Sequence, residues 1–450
     1  MMKPAETTSV SDKPLLRRVT PAELLARPAS AIDAAARAVA GEIVRDVRDN
    51  GEPALRKYIA RFGECESVSQ GQPLLLGPQA LQSALAEIAP EMRDLLERTA
   101  ARITRFAHAQ RAAMSDISLA VPGGTAGHRL IPVRRAACYA PAGRYPLPSS
   151  VLMTACTARA AGVPEVYVLS PRPSPIILAA AAIAGADGVL CAGGAQAAAA
   201  CAYGIAMPRC DVLVGPGNKY FTAAKAELVG TIGIDMLAGP SEVLIIADDS
   251  ADAALVAADL LAQAEHDDDA RAILLTDSGK FASEVGQAMG LQLAALSTRQ
   301  TAGVALARAG VCCICDSIAH AAAIADELAP EHLEVFTRDA ARVAASIRSY
   351  GAVFVGQPSA EVIGDYGIGP NHTLPTGGSA RFSSGLNVGH FLTVRTFVEV
   401  TDQAACAEMY ADAVALAALE GLPAHRAAAG LRLSASSGGP TAMREIGGTS

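Results

Sequence analysis

Between Ala137 and Gly356, short apolar runs of β type alternate with helical runs, and this alternation limits the fold more than any other feature. A first series reads "ACYAP", "SSVLMTACTARAAG", "EVYVLS", "PIILAAAAIAGA", "GVLCAG", "AQAAAACAYGI", "CDVLVG" and "NKYFTAAKAELVG". A second runs from "EVLIIAD" through "DAALVAADLLAQAEH", "RAILLTD", "GVCCICD", "SIAHAAAIADEL", "LEVF" and "RDAARVAASIRSY" to "GAVFVG". Such alternation specifies parallel sheets covered by helices. The chain is therefore α/β, with two doubly wound modules in succession. The glycine and proline knot "DMLAGPSE", Asp235 to Glu242, marks the joint between them.

The flanks follow different patterns. Residues 31–110 carry apolar positions at spacings of three and four and read as helical throughout. Beyond Gln357 a long stretch rich in Gly, Pro, Ser and Thr interrupts the alternation, and a loop of that length inside a compact protein is usually functional. Two helical stretches, "DQAACAEMYADAVALAALEGL" and "PAHRAAAGLRL", precede a small-residue tail expected to be disordered.

The chain has 450 residues, enough for two or three packed domains. A net charge of −8, 4% aromatic residues and no Trp leave neither a basic footprint nor stacking platforms for nucleic acid. No apolar core of signal-peptide length follows the first methionine. The longest uncharged run, Gly188 to Pro208, is mostly alanine and glycine, too weakly hydrophobic for a membrane span. Ten cysteines lie scattered in apolar stretches and read as reduced core residues of a cytoplasmic protein. Cys312 and Cys315 form a C-x-x-C, but no second pair completes a zinc knuckle.

Two parallel sheets suggest a nucleotide cofactor beyond the carboxyl ends of strands, yet no dinucleotide fingerprint occurs. "VGPGNKYF" has Gly215 and Gly217 but Tyr220 in the third place, and it leaves Asn218 near a helix N-terminus. This loop reads equally as a binding loop and as a structural turn. The eight histidines are more informative. His266 lies one turn beyond Gln263, a spacing that suits a metal and suits a capped helix end as well. Asp365 and His372 sit in the glycine-rich loop, and Glu420 and His425 near the C-terminus. Oxygen and imidazole donors without thiolate suit a catalytic zinc with open positions. In "LAPEHLEVF", Glu331 and His332 follow Pro330 at the mouth of a strand, where they are either solvated turn residues or a proton-transfer pair.

The segments "GPGNKYFTAAKAELVGTIGIDMLAGPSEVLIIAD", "AQAEHD", "APEHLE", "GDYGIGPNHTLPTGGSARFSSGL" and "EGLPAH", in this order, resemble the histidinol dehydrogenase family. That resemblance implies a zinc- and NAD-dependent homodimer oxidising L-histidinol to L-histidine through L-histidinaldehyde. It implies two incomplete Rossmann-like domains with small terminal pieces: an arm at 1–30, one domain formed by 31–137 with 243–385, a second at 138–242, and a segment at 386–450 that completes the partner's site. Carried over by residue, the zinc ligands fall on Gln263, His266, Asp365 and His425. Substrate contacts fall on these four and on Ser241, His332 and Glu420. NAD contacts fall on Tyr139, Gln196 and Asn218, and His372 matches a motif position lining the site. By the same resemblance His332 is the general base of both oxidations, and Glu331 activates the water that attacks the aldehyde.

Two positions depart from the family's usual pattern. Ala142 replaces a loop glycine near the expected cofactor, and "HDDDA" adds aspartates beside the expected metal. A paralogous zinc and NAD dehydrogenase acting on another amino alcohol or hydroxy acid is the rival expectation. Ser241 and Glu420 favour histidinol. The intact Glu331 and His332 pair argues against a third possibility, a non-catalytic homologue.

Overall fold

The computed structural model describes residues 14–26, 34–65, 73–141 and 146–436. The expected disordered tail, Ala142 and most of the 1–30 arm lie outside them. In chain order the strands are β1 (Arg17–Val19), β2 (Leu75–Leu76), β3 (Ile117–Val121), β4 (Gly124–Pro132), β5 (Arg135–Tyr139), β6 (Glu165–Leu169), β7 (Gly188–Leu190) and β8 (Val212–Val214). They continue with β9 (Gly233–Ile234), β10 (Glu242–Ala247), β11 (Arg271–Thr276), β12 (Val311–Ile314), β13 (His332–Phe336), β14 (Ala352–Val355) and β15 (Leu392–Val400).

Two six-stranded sheets share one winding scheme. The first has the order β2-β7-β6-β5-β8-β9 and the second β1-β12-β11-β10-β13-β14. Each starts at a central strand, β5 or β10, winds outward through two neighbours, and then crosses back to β8 or β13. The expected α/β architecture with parallel sheets is thus what the chain forms, with β2 as an antiparallel edge strand. The central strands are apolar runs because both faces are covered: all six residues of β10 and all five of β13 are buried.

The region read as helical throughout is interrupted. Strand β2 comes between helices Ala34–Arg61 and Pro78–Glu87, a break at Ile88 precedes helix Pro90–Ala112, and the first helix kinks at Gly51, whose φ of 64° is left-handed, just before Pro53. The first two of these helices pack on Pro175–Ile183, Gly194–Tyr203 and Lys219–Leu228, all on the first sheet. Residues of Ala34–Arg61 share one core with Tyr139, Leu190 and Leu213. The third helix, Pro90–Ala112, reaches the glycine-rich loop instead, where Arg102 donates to the Gly367 carbonyl at 2.8 Å. β1, from the N-terminal arm, pairs in parallel with β12 of the second.

These sheets belong to a compact unit of residues 1–111 and 132–391; a second unit comprises 112–131 and 392–450. The second unit contains a sheet ordered β15-β4-β3 and the packed helices Ala407–Leu419 and Pro423–Ser436. The β3–β4 hairpin turns at Gly123, where φ is 76°.

Among the described residues no helix is long and apolar enough to cross a membrane. The uncharged run at 188–208 holds β7 and the buried helix Gly194–Tyr203. All ten cysteines are free and nine are buried, Cys312 and Cys315 among them.

Candidate active site

Helix Ile318–Leu328 ends at Ala329, a non-glycine residue held left-handed at φ 49°, and Pro330 follows. This abrupt stop delivers Glu331 and His332 directly to the amino end of β13, beside the amino end of β10, where Val243 is in register with His332. The surroundings bury both. Glu331 Oε2 accepts the Glu242 N–H at 2.8 Å, and His332 Nδ1 lies 3.2 Å from the Glu242 carbonyl oxygen. Glu242 is itself buried, its carboxylate accepting the Gly377 N–H at 2.9 Å with Arg271 Nη1 at 3.5 Å.

The solvated-turn reading of the pair therefore fails: Glu331 is 6% and His332 4% exposed. Burial pushes the His332 imidazole down to about 4, so it is neutral at ordinary pH. A carbonyl oxygen can only accept, so the Glu242 contact places the proton on Nδ1 and leaves the Nε2 lone pair as a base. Burial also raises the Glu331 carboxyl well above the usual range, which makes its ionised form a stronger base.

Asp365 closes the short helix Glu361–Asp365, against which helix Ala253–Ala264 packs. His266 Nε2 lies 3.6 Å from Asp365 Oδ2, and His266 Nδ1 bonds the Ala262 carbonyl at 2.9 Å, which fixes the ring with Nε2 outward. Gln263 is fully buried, yet both atoms of its amide lack partners. An unpaired buried amide is costly unless a ligand satisfies it. The donor atoms of His332, Glu361 and Asp365 also lie within 4.8 Å of one another. Imidazole nitrogens and carboxylate oxygens gathered at Asp365, with an unpaired amide one helical turn before His266, are donor types that fit a divalent metal.

Glu361 is absent from the sequence-derived site. Its carboxyl is buried, with Oε1 3.4 Å from His332 Nδ1, and its N–H donates to Glu334 on β13. His372 bonds the Asp365 carbonyl through Nδ1 at 3.0 Å and faces Ser150 Oγ through Nε2 at 3.4 Å. Ser241 is half-buried immediately before β10. Glu420 and His425 belong to the second unit, where both are exposed, Glu420 as the cap of Ala407–Leu419 and His425 in Pro423–Ser436.

The three expected cofactor residues gather at the carboxyl edge of the first sheet. Tyr139 ends β5, stacks on Phe221 with ring centroids 3.8 Å apart, and accepts the Gly194 N–H at 3.2 Å. Asn218 Oδ1 accepts from the N–H groups of Tyr220 and Phe221, capping Lys219–Leu228. Gln196 is 1% exposed and gives its Nε2 to Glu64 at 2.7 Å. Glu64 was not singled out in the sequence. The joint at 235–241 runs from this edge to the amino edge of the second sheet. It is held by Thr222 Oγ1 donating to Ala238 O and by Lys225 Nζ, which binds Asp235 and the Gly215 carbonyl.

A family model described as histidinol dehydrogenase matches residues 25–433. A histidinol dehydrogenase of Aromatoleum aromaticum is 43% identical over 89% of this chain and 92% of its own length. One from Rhodospirillum rubrum is 43% identical over 86% and 90%. The crystal structure of histidinol dehydrogenase from Elizabethkingia anophelis superposes with a TM-score of 0.85 at 30% identity, covering 94% of this chain and 99% of that one. On this evidence the chain belongs to the histidinol dehydrogenase family.

Proposed function

We propose that this chain oxidises L-histidinol to L-histidine through L-histidinaldehyde, using zinc and two successive NAD, as a cytoplasmic homodimer. The observation that carries this reading is the buried His332, neutral and tied through Nδ1, next to Glu331, in a chain that also pairs His266 with Asp365 and leaves the buried amide of Gln263 unpaired. Zinc bound by Gln263, His266, Asp365 and the partner chain's counterpart of His425 would orient the substrate's imidazole and amino nitrogens, while NAD accepts hydride. Ser241, His332 and Glu420 complete the substrate contacts, and Tyr139, Gln196 and Asn218 form the cofactor side. The two sheets are two incomplete Rossmann-like domains, and residues 386–450 complete the site of the partner.

His332 takes the hydroxyl proton on Nε2 as hydride departs from the alcohol carbon; a carbon loses hydride readily only when its oxygen loses a proton. Glu331 spends Oε2 on the Glu242 N–H and keeps Oε1 for the water that adds to the aldehyde. The resulting hydrate presents a second hydroxyl to His332, so one base serves both oxidations. Burial of the pair excludes water other than the one consumed.

The test is the number of NADH formed per histidinol consumed by purified, zinc-loaded protein. Two is expected. One would mean release of the aldehyde, and NADH formed from another alcohol but not from histidinol would assign the chain to a paralogous activity.

A further inference from the structure

At the carboxyl end of β7 the chain makes a double-glycine turn into helix Gly194–Tyr203, and a carboxylate from a segment 129 residues earlier fills it. Glu64 Oε2 accepts the Gly193 N–H at 3.0 Å, and Glu64 Oε1 accepts Gln196 Nε2 at 2.7 Å. Glu64 is 9% exposed, so this carboxylate lies inside the protein. The turn is shaped around it. A Cβ at Gly193 would stand 2.6 Å from Pro171 Cβ and 3.1 Å from Glu64 Oε1. Gly194 takes a φ of +55°, and a Cβ there would meet Gln196 Oε1 at 3.2 Å. Both glycines thus make room for the Glu64–Gln196 pair.

The pairing has a chemical consequence. A carboxylate can only accept, so Glu64 fixes which end of the Gln196 amide is which: the NH2 group faces Glu64 and the oxygen lies on the Gly194 side. That oxygen takes no hydrogen bond from the described residues, and it sits beside the Gly194 N–H that Tyr139 holds at 3.2 Å. We propose that Glu64 is a positioning residue for the dinucleotide: it locks Gln196 as a hydrogen-bond acceptor for a hydroxyl or amine N–H of the cofactor. This inference rests on the NAD reading above and adds to it the residue that sets the polarity of that contact.

The consequence is specific to amide orientation, which makes it separable from a merely structural role. In Glu64→Gln the new side chain can still accept the Gly193 N–H, but it offers an NH2 group to Gln196. Gln196 must then flip, accept with its oxygen and present its own NH2 to the cofactor. In the double variant Glu64→Gln with Gln196→Glu, the bond between the two residues is kept with its direction reversed, residue 196 now accepting from residue 64, and residue 196 again presents an oxygen. NADH titration by fluorescence, with thermal melts as a folding control, reads this directly. The expected result is tenfold or greater weakening of NADH binding in Glu64→Gln, recovery to within about threefold of wild type in the double variant, and a raised KM for NAD without a matching rise in KM for histidinol. A wild-type chain that binds NADH with Glu64→Gln binding it equally well would overturn this inference alone. Weakened binding that the double variant fails to recover would overturn it too, because the loss would not run through Gln196. A wild-type chain that binds no dinucleotide would overturn the cofactor reading together with it.

Discussion

His332 Nδ1 lies 3.2 Å from the carbonyl oxygen of Glu242, the first residue of the neighbouring strand. This contact fixes tautomer and orientation together, so the imidazole acts through Nε2 alone. His332→Gln retains a donor toward that carbonyl and removes the base. Its turnover is expected to fall by about 10²–10⁴-fold, the usual scale for a general base. Zinc content by elemental analysis and dimer mass by light scattering stay at wild-type levels. Turnover within tenfold of wild type would remove His332 from the mechanism.

Gln263 makes a prediction with opposite signs for metal binding and fold stability. Its amide is buried with neither end paired, which in the metal-free protein costs about 1–3 kcal/mol. Gln263→Leu keeps the volume and removes the unpaired atoms. The metal-free variant is expected to melt higher than metal-free wild type, while its zinc affinity drops by at least tenfold. Unchanged zinc affinity, measured by competition with a chelator, would show that Gln263 is not a ligand.

The sequence exposes some of this site and hides the rest, for a physical reason. Glu331 and His332 are legible because an ionisable pair after a proline stands out against an apolar strand, and Gln263 with His266 because helical spacing joins them. Glu64, Glu242 and Glu361 are not. Each is a carboxylate buried through contacts with residues remote in sequence: Glu64 with Gly193, Glu242 with Gly377, Glu361 with His332. Read locally, each is an ordinary surface acid. The parallel sheets follow from alternation, whereas the β15-β4-β3 sheet depends on pairing between segments some 260 residues apart, which no local period announces. Tyr139 and Asn218 stand at carboxyl ends of the first sheet's strands, the general place for ligands in such folds. His332 and Ser241 stand instead at the amino ends of the second sheet's strands, where that general preference gives no signal.

Lys225 and Asp235 form an ion pair whose side chains are 2% and 0% exposed, and the Gly215 N–H donates to the second Asp235 oxygen. Removing one partner leaves the other charge buried and alone, which costs about 3–5 kcal/mol. Lys225→Met is therefore expected to lower the denaturant midpoint strongly. The double change Lys225→Met with Asp235→Asn costs less than Lys225→Met alone, because no unpaired charge remains. A double variant less stable than Lys225→Met would contradict this account.

Asp46 spans the kink at Gly51, accepting from Lys57 Nζ and Tyr58 Oη at 2.8 Å and from Asn50 Nδ2 at 2.7 Å. The Lys57 bond first, then those of Tyr58 and Asn50, lower its carboxyl from 3.8 to about 2. A depressed carboxyl contributes stability above its unfolded value and loses it as pH falls through the folded one. The melting-temperature gap between wild type and Asp46→Asn is thus expected to be constant from pH 5 to 7 and to close between about pH 4 and 2. High salt narrows it, since the group is at the surface. A gap that persists below pH 2 would rule out the charge as its source.

The proposed sharing of sites between subunits is testable by complementation. If His425 completes the metal site of the partner, His266→Ala and His425→Ala are each inactive as homodimers for lack of a full ligand set. A mixed dimer of the two places both lesions in one site and leaves the other site intact. Random co-assembly makes about half of the dimers mixed, each with one working site, so co-expressed variants should recover roughly a quarter of wild-type activity. Were His425 to act within its own chain, every site in the mixture would carry one lesion and activity would stay at the level of the parents. Recovery after co-expression, but not after brief mixing of preformed dimers, is the further result expected of intertwined chains that exchange only by unfolding.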